Sequence, residues 1–133
     1  MDWKIKVVII PVSDVDRSKH FYHDLLGFNV DLDDSPSPTH RFVQLTPPGS
    51  GCSITIGTGM TEMVPGSVQG IQIVVDDITV ARKQLVDNGV DVSPVRHFEK
   101  GGWVDGPGGR WNSFVFFSDP DGNGWVLQER GTD

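Results

Sequence analysis

Two stretches of this chain carry the same pattern in the same order, and that repeat constrains the fold more than any other feature. Val12-Ser13-Asp14-Val15 opens a helical stripe that stops at Gly27, and Val75-Asp76-Asp77-Ile78 opens another that stops at Gly89. The offset is 63 residues at the start and 62 at the end. In the first stretch Val15, Phe21, Tyr22, Leu25 and Leu26 recur at helical spacing. Ser13 to Asp16 has the Ser-x-x-Asp form of a capping box, with Asp in place of Glu. In the second, residues 77–88 read as a helix with Ile78, Ala81, Leu85 and Val86 toward the core, and Asn88-Gly89 supplies the stop. Residues 3–12 read as a strand closed by Pro11, with Trp3 as a terminal packing anchor. Strands follow at 28–32, 39–46 and 52–57, with a polar, Pro-bearing turn from Asp33 to Pro38. After a linker from Gly57 to Ser67, strands are expected at 70–75, 90–95, 112–118 and 124–129. A long Gly-rich loop runs from His97 to Gly109, and Asp119-Pro120-Asp121-Gly122-Asn123 is a turn with a clear chemical basis. Each half reads βαβββ. We expect one α+β domain over 1–133, with module 1 at 1–64 and module 2 at 65–133. One such module alone leaves a sheet face uncovered, whereas two side by side enclose a cavity.

Composition narrows the partners. The 133 residues suffice for one domain. Lys plus Arg number 11 against 18 Asp plus Glu, a net charge of −7, which excludes a basic nucleic-acid surface. At 37% hydrophobic and 22% charged the chain folds rather than staying disordered. The single Cys52 excludes an internal disulfide framework, and heading a strand it has nothing to lower its pKa. No apolar run approaches the ~20 residues of a membrane helix. Lys4-Ile5-Lys6-Val7 alternates, unlike the apolar core of a signal peptide. The default expectation is a soluble cytoplasmic protein without membrane contact.

Three segments, VSDVDRSKHFYHDLLGF at 12–28, QGIQIVVDDITVARKQLVDNGVDV at 69–92 and FSDPDGNGWVLQE at 117–129, resemble the vicinal oxygen chelate superfamily. This is the glyoxalase, bleomycin-resistance and extradiol-dioxygenase group. The resemblance implies paired βαβββ modules with curved mixed sheets, helices on the convex side, and a ligand inside the concave surface, commonly in a homodimer. Metal-dependent members carry ligands on the first, fourth, fifth and last strands. By the resemblance these positions fall on Val7, Thr55, Gly70 and Val126. Val and Gly have no side-chain donor, and Thr is a poor one for the borderline metals these enzymes use. No metal and no other cofactor is therefore expected. His20, His23 and Asp24 lie together on the first helix, but no third element converges by spacing, and a solvated helix face is the better reading.

Strand alternation supplies the cavity lining. Ile5, Val7 and Ile9, Ser53 and Thr55, Gly70, Gln72 and Val74, and Val126 and Gln128 share the facing set. His40, Phe42 and Gln44 share one face of their strand. Trp103 and Trp111 flank the Gly-rich segment and either stack on ligand or pack an interface. Phe114, Phe116, Phe117 and Trp125 read as core. Arg96, His97 and Arg110 stand at the ends of the loop, where they either meet an anionic group or offset Glu99 and Asp105. His40 is the nearest thing to a general base, though spacing gives it no partner carboxylate. The ligand-binding set is thus Val7, Ile9, His40, Phe42, Thr55, Gln72, Trp103, Arg110, Trp111, Val126 and Gln128, with no catalytic residue assigned. Such a lining suits an uncharged, flat organic molecule. The leading expectation is metal-free binding of a hydrophobic or aromatic small molecule, as in drug or antibiotic sequestration. The alternative is a lyase or isomerase without the usual metal.

Overall fold

The computed structural model describes residues 1–131, and the chain divides into two compact units. The first comprises Met1–Val68 together with the turn Asp119–Asn123; the second comprises Gln69–Ser118 and resumes at Gly124. The fold is α+β, with one mixed sheet in each unit. Among the described residues no helix is long and apolar enough to cross a membrane.

In the first unit the sheet order is β1-β4-β3-β2, built from β1 (Val7–Ile9), β2 (Asn29–Ser37), β3 (His40–Thr46) and β4 (Ser53–Thr58). β1 runs parallel to β4 and the other pairs are antiparallel. Only three residues of the expected 3–12 strand pair, because the β4 ladder ends at Ser53. Trp3 is consequently 87% exposed and anchors nothing. Helix α1 (Val15–Lys19) continues as a π-helical turn, His20–Leu25. Its N-cap is Asp14, which accepts from the Arg17 amide at 3.0 Å. Ser13 does not cap the helix. Its hydroxyl donates to Asp121 Oδ1 at 2.5 Å and its amide to Oδ2 at 3.1 Å. The wide turn shows in the hydrogen bonds of Leu26 N to Phe21 O and of Phe28 N to Tyr22 O, 3.0 and 2.9 Å. Gly27, at φ +82°, then lets the chain leave the helix. Phe21, Tyr22 and Phe28 are buried with ring centroids 5.1 and 5.8 Å apart in sequence, over a sheet face of Val43, Leu45, Ile54 and Ile56.

The expected turn from Asp33 to Pro38 is instead strand, and β2 reaches Ser37. Cross-strand polar pairs override the turn-forming composition. Asp33 accepts from Arg41 Nε and Nη2 at 3.0 and 2.8 Å and from Lys19 at 2.9 Å. Register shifts between Val30 and Leu32 and between Asp34 and Ser37 absorb the irregularity, the second where Pro36 sits.

The second sheet has the order β5-β9-β8-β6-β7. Its strands are β5 (Ile71–Val75), β6 (Arg96–Glu99), β7 (Gly102–Asp105), β8 (Phe114–Ser118) and β9 (Gly124–Glu129). β5 is parallel to β9, repeating the β1–β4 pairing. Helix α2 (Ile78–Asp87) is capped by Asp77, which accepts from the Thr79 and Val80 amides. Glu129 Oε2 accepts from the Ile78 amide at 3.0 Å, so this carboxylate serves the helix terminus. Ile78 and Leu85 are buried, but Val86 is 46% exposed, outside the core face. Residues 90–95 make one bridge, Val92 to Phe117, rather than a strand. The expected Gly-rich loop is in part a hairpin, β6–β7, turning through Lys100 (φ 51°) and Gly101 (φ 82°). Two consecutive positive φ values define the type I′ turn whose twist suits antiparallel strands. Phe117 stacks on Trp125 at 6.3 Å, and both are buried with Val115 and Leu127.

Asp119, buried within the first unit, has both carboxylate oxygens occupied. Oδ2 accepts from the Tyr22 hydroxyl at 2.7 Å and Asn123 Nδ2 at 2.8 Å; Oδ1 accepts from the Asp121 and Asn123 amides at 2.9 Å each. Tyr22→Phe should lower unfolding free energy by about 1.5–3 kcal/mol, as expected for a hydrogen bond to a charged group, read by urea denaturation. Ser18 Oγ is buried without a hydrogen-bond partner among the described residues. Ser18→Ala should accordingly leave stability unchanged or raise it by up to about 1 kcal/mol in the same assay.

Candidate functional site

Register divides each sheet into a face covered by its helix and an opposite, partly open face. In the first unit Val7 pairs with Ser53, Ile9 with Thr55, Thr55 with Gln44, and Gly57 with Phe42. Val7, Ile9, Thr55 and Phe42 therefore share the face opposite the helix, where Thr55 is buried and the other three are partly exposed. His40 shares their parity, but its Nδ1 lies 2.8 Å from Ser37 Oγ and 3.1 Å from Thr39 Oγ1. Its ring also packs where a Cβ on Gly59 would stand, 2.7 Å away. His40 is thus built into the β2–β3 turn.

In the second unit Gln72 pairs with Val126 and Val74 with Gln128; Phe116 and Phe114 stand opposite the same two β9 residues. Phe114 and Phe116 are half-buried on this open face, whereas Phe117 is core. Trp103 on β7 lies opposite Phe98 on β6, with ring centroids 5.4 Å apart. Its indole also reaches across β6 to Phe114 at 5.2 Å and Phe116 at 5.0 Å. All three phenyl rings meet it edge-on, at 76–79°. Trp103 and Phe98 remain 49% exposed. The result is an aromatic platform fixed by three strands, with the Arg96–Asp105 ion pair (3.1 Å) on the same hairpin.

Trp111 takes no part in this cluster. Among the described residues it is one of two non-glycine residues with positive φ, at 57°, and its ring packs against Gly131, where a Cβ would lie 2.3 Å from Nε1. Gln128 Nε2 donates to its carbonyl at 2.9 Å. Gln128 therefore holds the loop bearing Trp111, and Arg110 lies exposed in that loop. Phe98, Phe114 and Phe116 are the members sequence reasoning missed. The alternation Arg96-His97-Phe98-Glu99 and Gly102-Trp103-Val104-Asp105 around Lys100-Gly101 was the signal for the hairpin.

The positions that hold metal in related enzymes do not fit a cation here. Val7, Gly70 and Val126 carry no donor, and Thr55 offers one hydroxyl. Among the described residues no three His, Cys, Asp or Glu side chains are grouped to hold one elsewhere.

The chain matches the Glyoxalase/Bleomycin resistance protein/Dioxygenase superfamily over residues 4–127 and belongs to it. It is similar to the crystal structure of TnmS3, an antibiotic binding protein from Streptomyces sp. CB03234, at 30% identity and TM-score 0.78 over 98% of each chain. A superfamily member from Sphaerobacter thermophilus DSM 20745 is similar at 31% identity and TM-score 0.78, covering 97% of this chain and 98% of that one. An uncharacterized Bacillus subtilis (strain 168) protein, YetH, is 26% identical over 130 residues, 95% of this chain and 98% of its own.

One titratable group braces the hairpin. His97 Nδ1 lies 2.8 Å from the Gly106 carbonyl, and Nε2 lies 2.9 Å from Glu99 Oε2. Both partners are acceptors, so both contacts are hydrogen bonds only in the imidazolium form. The Gly106 carbonyl first, then Glu99, raise its pKa above the ordinary histidine value. A raised pKa contributes stability that is complete below the unfolded value, about 6.5, and is lost as pH rises through the folded one. Proton NMR should show His97 titrating above the free-histidine range. The stability advantage over His97→Gln should be present in mildly acidic buffer and fade as pH rises past that midpoint.

Proposed function

We propose that this protein binds a hydrophobic, largely planar small molecule and sequesters it, without metal chemistry. The observation that carries the reading is the half-exposed indole of Trp103 braced edge-on by Phe98, Phe114 and Phe116. Held rings lose little conformational freedom on binding, so stacking a flat ligand on them costs little order. That TnmS3, a relative matched along nearly its whole length, is an antibiotic binding protein supports small-molecule binding. His40, the base candidate of a lyase or isomerase reading, is already hydrogen-bonded within its own turn, which favours binding.

The protein is expected to act as a homodimer. Each unit leaves apolar side chains of its open face exposed besides the aromatic platform, Leu32 in the first and Val74 in the second. A second copy of the chain is the expected cover. Sedimentation velocity at micromolar concentration should return a dimer mass.

Quenching of tryptophan fluorescence by an aromatic natural product such as an anthraquinone is the direct test. Saturable binding should be seen, weakened by about 1–3 kcal/mol in Trp103→Ala and much less in Trp111→Ala. Equal affinity of wild type and Trp103→Ala would remove the platform from the site. Conversion of the bound compound to a new species would replace sequestration with catalysis.

A further inference from the structure

The rim of the aromatic platform carries a cation with most of its donors unused. Arg96 heads β6, and its register partners are Phe114 on β8 and Asp105 on β7. Alternation puts Arg96 and Phe98 on one face of β6, and Trp103 and Asp105 on the matching face of β7. Arg96 therefore stands on the indole's side of the sheet, the side that Phe98, Phe114 and Phe116 share. Every one of these residues belongs to the second unit. His97 and Glu99 alternate to the opposite face and meet there at 2.9 Å, so Glu99 does not compete for Arg96.

Arg96 donates through Nε alone. That N–H meets Asp105 Oδ1 at 3.1 Å, and no described residue accepts from Nη1 or Nη2. The terminal nitrogens of the fork are thus open, on a side chain 38% exposed. Elsewhere the chain shows what such a fork takes. Arg41 gives Nε and Nη2 to Asp33 and Nη1 to Asp16, at 2.8–3.0 Å, and so holds two carboxylates at once. Arg96 has its first carboxylate in Asp105 and no second among the described residues. The half-exposed rings of Trp103 and Phe98 displace water beside it, which strengthens an ion pair formed there. The local charge also runs against the whole. Residues 96–110 carry Arg96, Lys100 and Arg110 against Glu99 and Asp105, in a chain of net charge −7.

We propose that Arg96 is the specificity-determining residue of the Trp103 platform and that it selects planar ligands with an anionic oxygen group, such as a carboxylate, at one edge. The assignment rests on the small-molecule reading given above and narrows its ligand class. The ring system lies against the exposed side of the indole, and Nη1 and Nη2 donate to the anionic oxygens. Asp105 keeps Nε and fixes the plane of the fork.

The test uses two anthraquinones of nearly the same shape, anthraquinone-2-carboxylate, ionised at neutral pH, and anthraquinone-2-carboxamide, neutral there. Tryptophan quenching of the wild-type protein should show the carboxylate bound about tenfold or more tighter, the size expected of hydrogen bonds between charged groups. Arg96→Met, which keeps the aliphatic stem, should bring the ratio to about one or below. Arg96→Lys, a point charge without the planar fork, should keep only part of the preference. Lys100→Asn removes a positive charge from the same hairpin and should leave the ratio in place, since asparagine tolerates the positive φ there. Circular dichroism melts check that each variant is folded. Equal binding of both compounds by wild type, or a preference that survives Arg96→Met, overturns the role of Arg96, while Trp103-dependent binding of the carboxamide keeps the platform reading intact. A preference lost equally in Lys100→Asn assigns it to general charge and overturns that role likewise. Failure of both compounds to bind overturns both readings.

Discussion

In both units the first strand lies parallel to the last, Val7 opposite Ser53 and Gln72 opposite Val126. A parallel pair cannot be joined by a tight turn, so the chain must leave the sheet, cross it as a helix and return through antiparallel strands. That crossover decides which face the helix covers and which stays open. Every assignment of a side chain to the site follows from it, because alternation carries the choice made at Val7 and Gln72 through the neighbouring strands.

The two open faces differ in chemistry. The second sheet offers rings fixed edge to edge by β6, β7 and β8, with amides at Gln72 and Gln128. The first offers aliphatic side chains beside a hydrogen-bonded stripe that ends on a carboxylate. Opposite that stripe, Arg41 bridges Asp33 and Asp16, fastening β2 and β3 to α1. These ion pairs hold the Asp33 carboxyl well below the usual range, with Arg41 as the larger cause and Lys19 next. Of the three aspartates on β2, Asp33 is the one spent on fastening the sheet to its helix.

Much of this was legible in the sequence. The repeat, both helix stops and the shared facing of Val7 with Ile9 and of Gln72 with Val126 follow from residue chemistry, the family resemblance and period-two alternation, whereas Asp77, read as the first helical residue, is the cap. What escaped depended on partners far along the chain. Asp33 to Ser37 has turn composition yet lies in a strand, because Arg41 and Lys19 reward the extended form. Lys100-Gly101 is a weaker hairpin signal than Asn-Gly, so β6 and β7 were hidden, and Phe98 with them. Phe114 and Phe116 read as core because a Phe is normally buried. Only the pairing of β8 with β9 shows that they alternate with Val115 and Phe117 onto the open face. The bulge at Asp31 has no local mark at all, since its neighbours would alternate equally well without it.

The turn at Asp119–Asn123 has a consequence for how the molecule is made. It belongs to the first unit, and Tyr22, Ser13, Arg17 and the Pro11 carbonyl all find partners on it. During synthesis the ribosome delivers residues 1–68 well before this turn. Until then the Tyr22 hydroxyl has no Asp119 to meet, and the unit built first lacks one of its own parts. The N-terminal half is thus kept from finishing ahead of the C-terminal half, at the expense of contacts that span nearly the whole chain and slow folding. A chain cut between the two repeats would leave a first half missing its buried acceptor, so neither repeat is a self-contained piece.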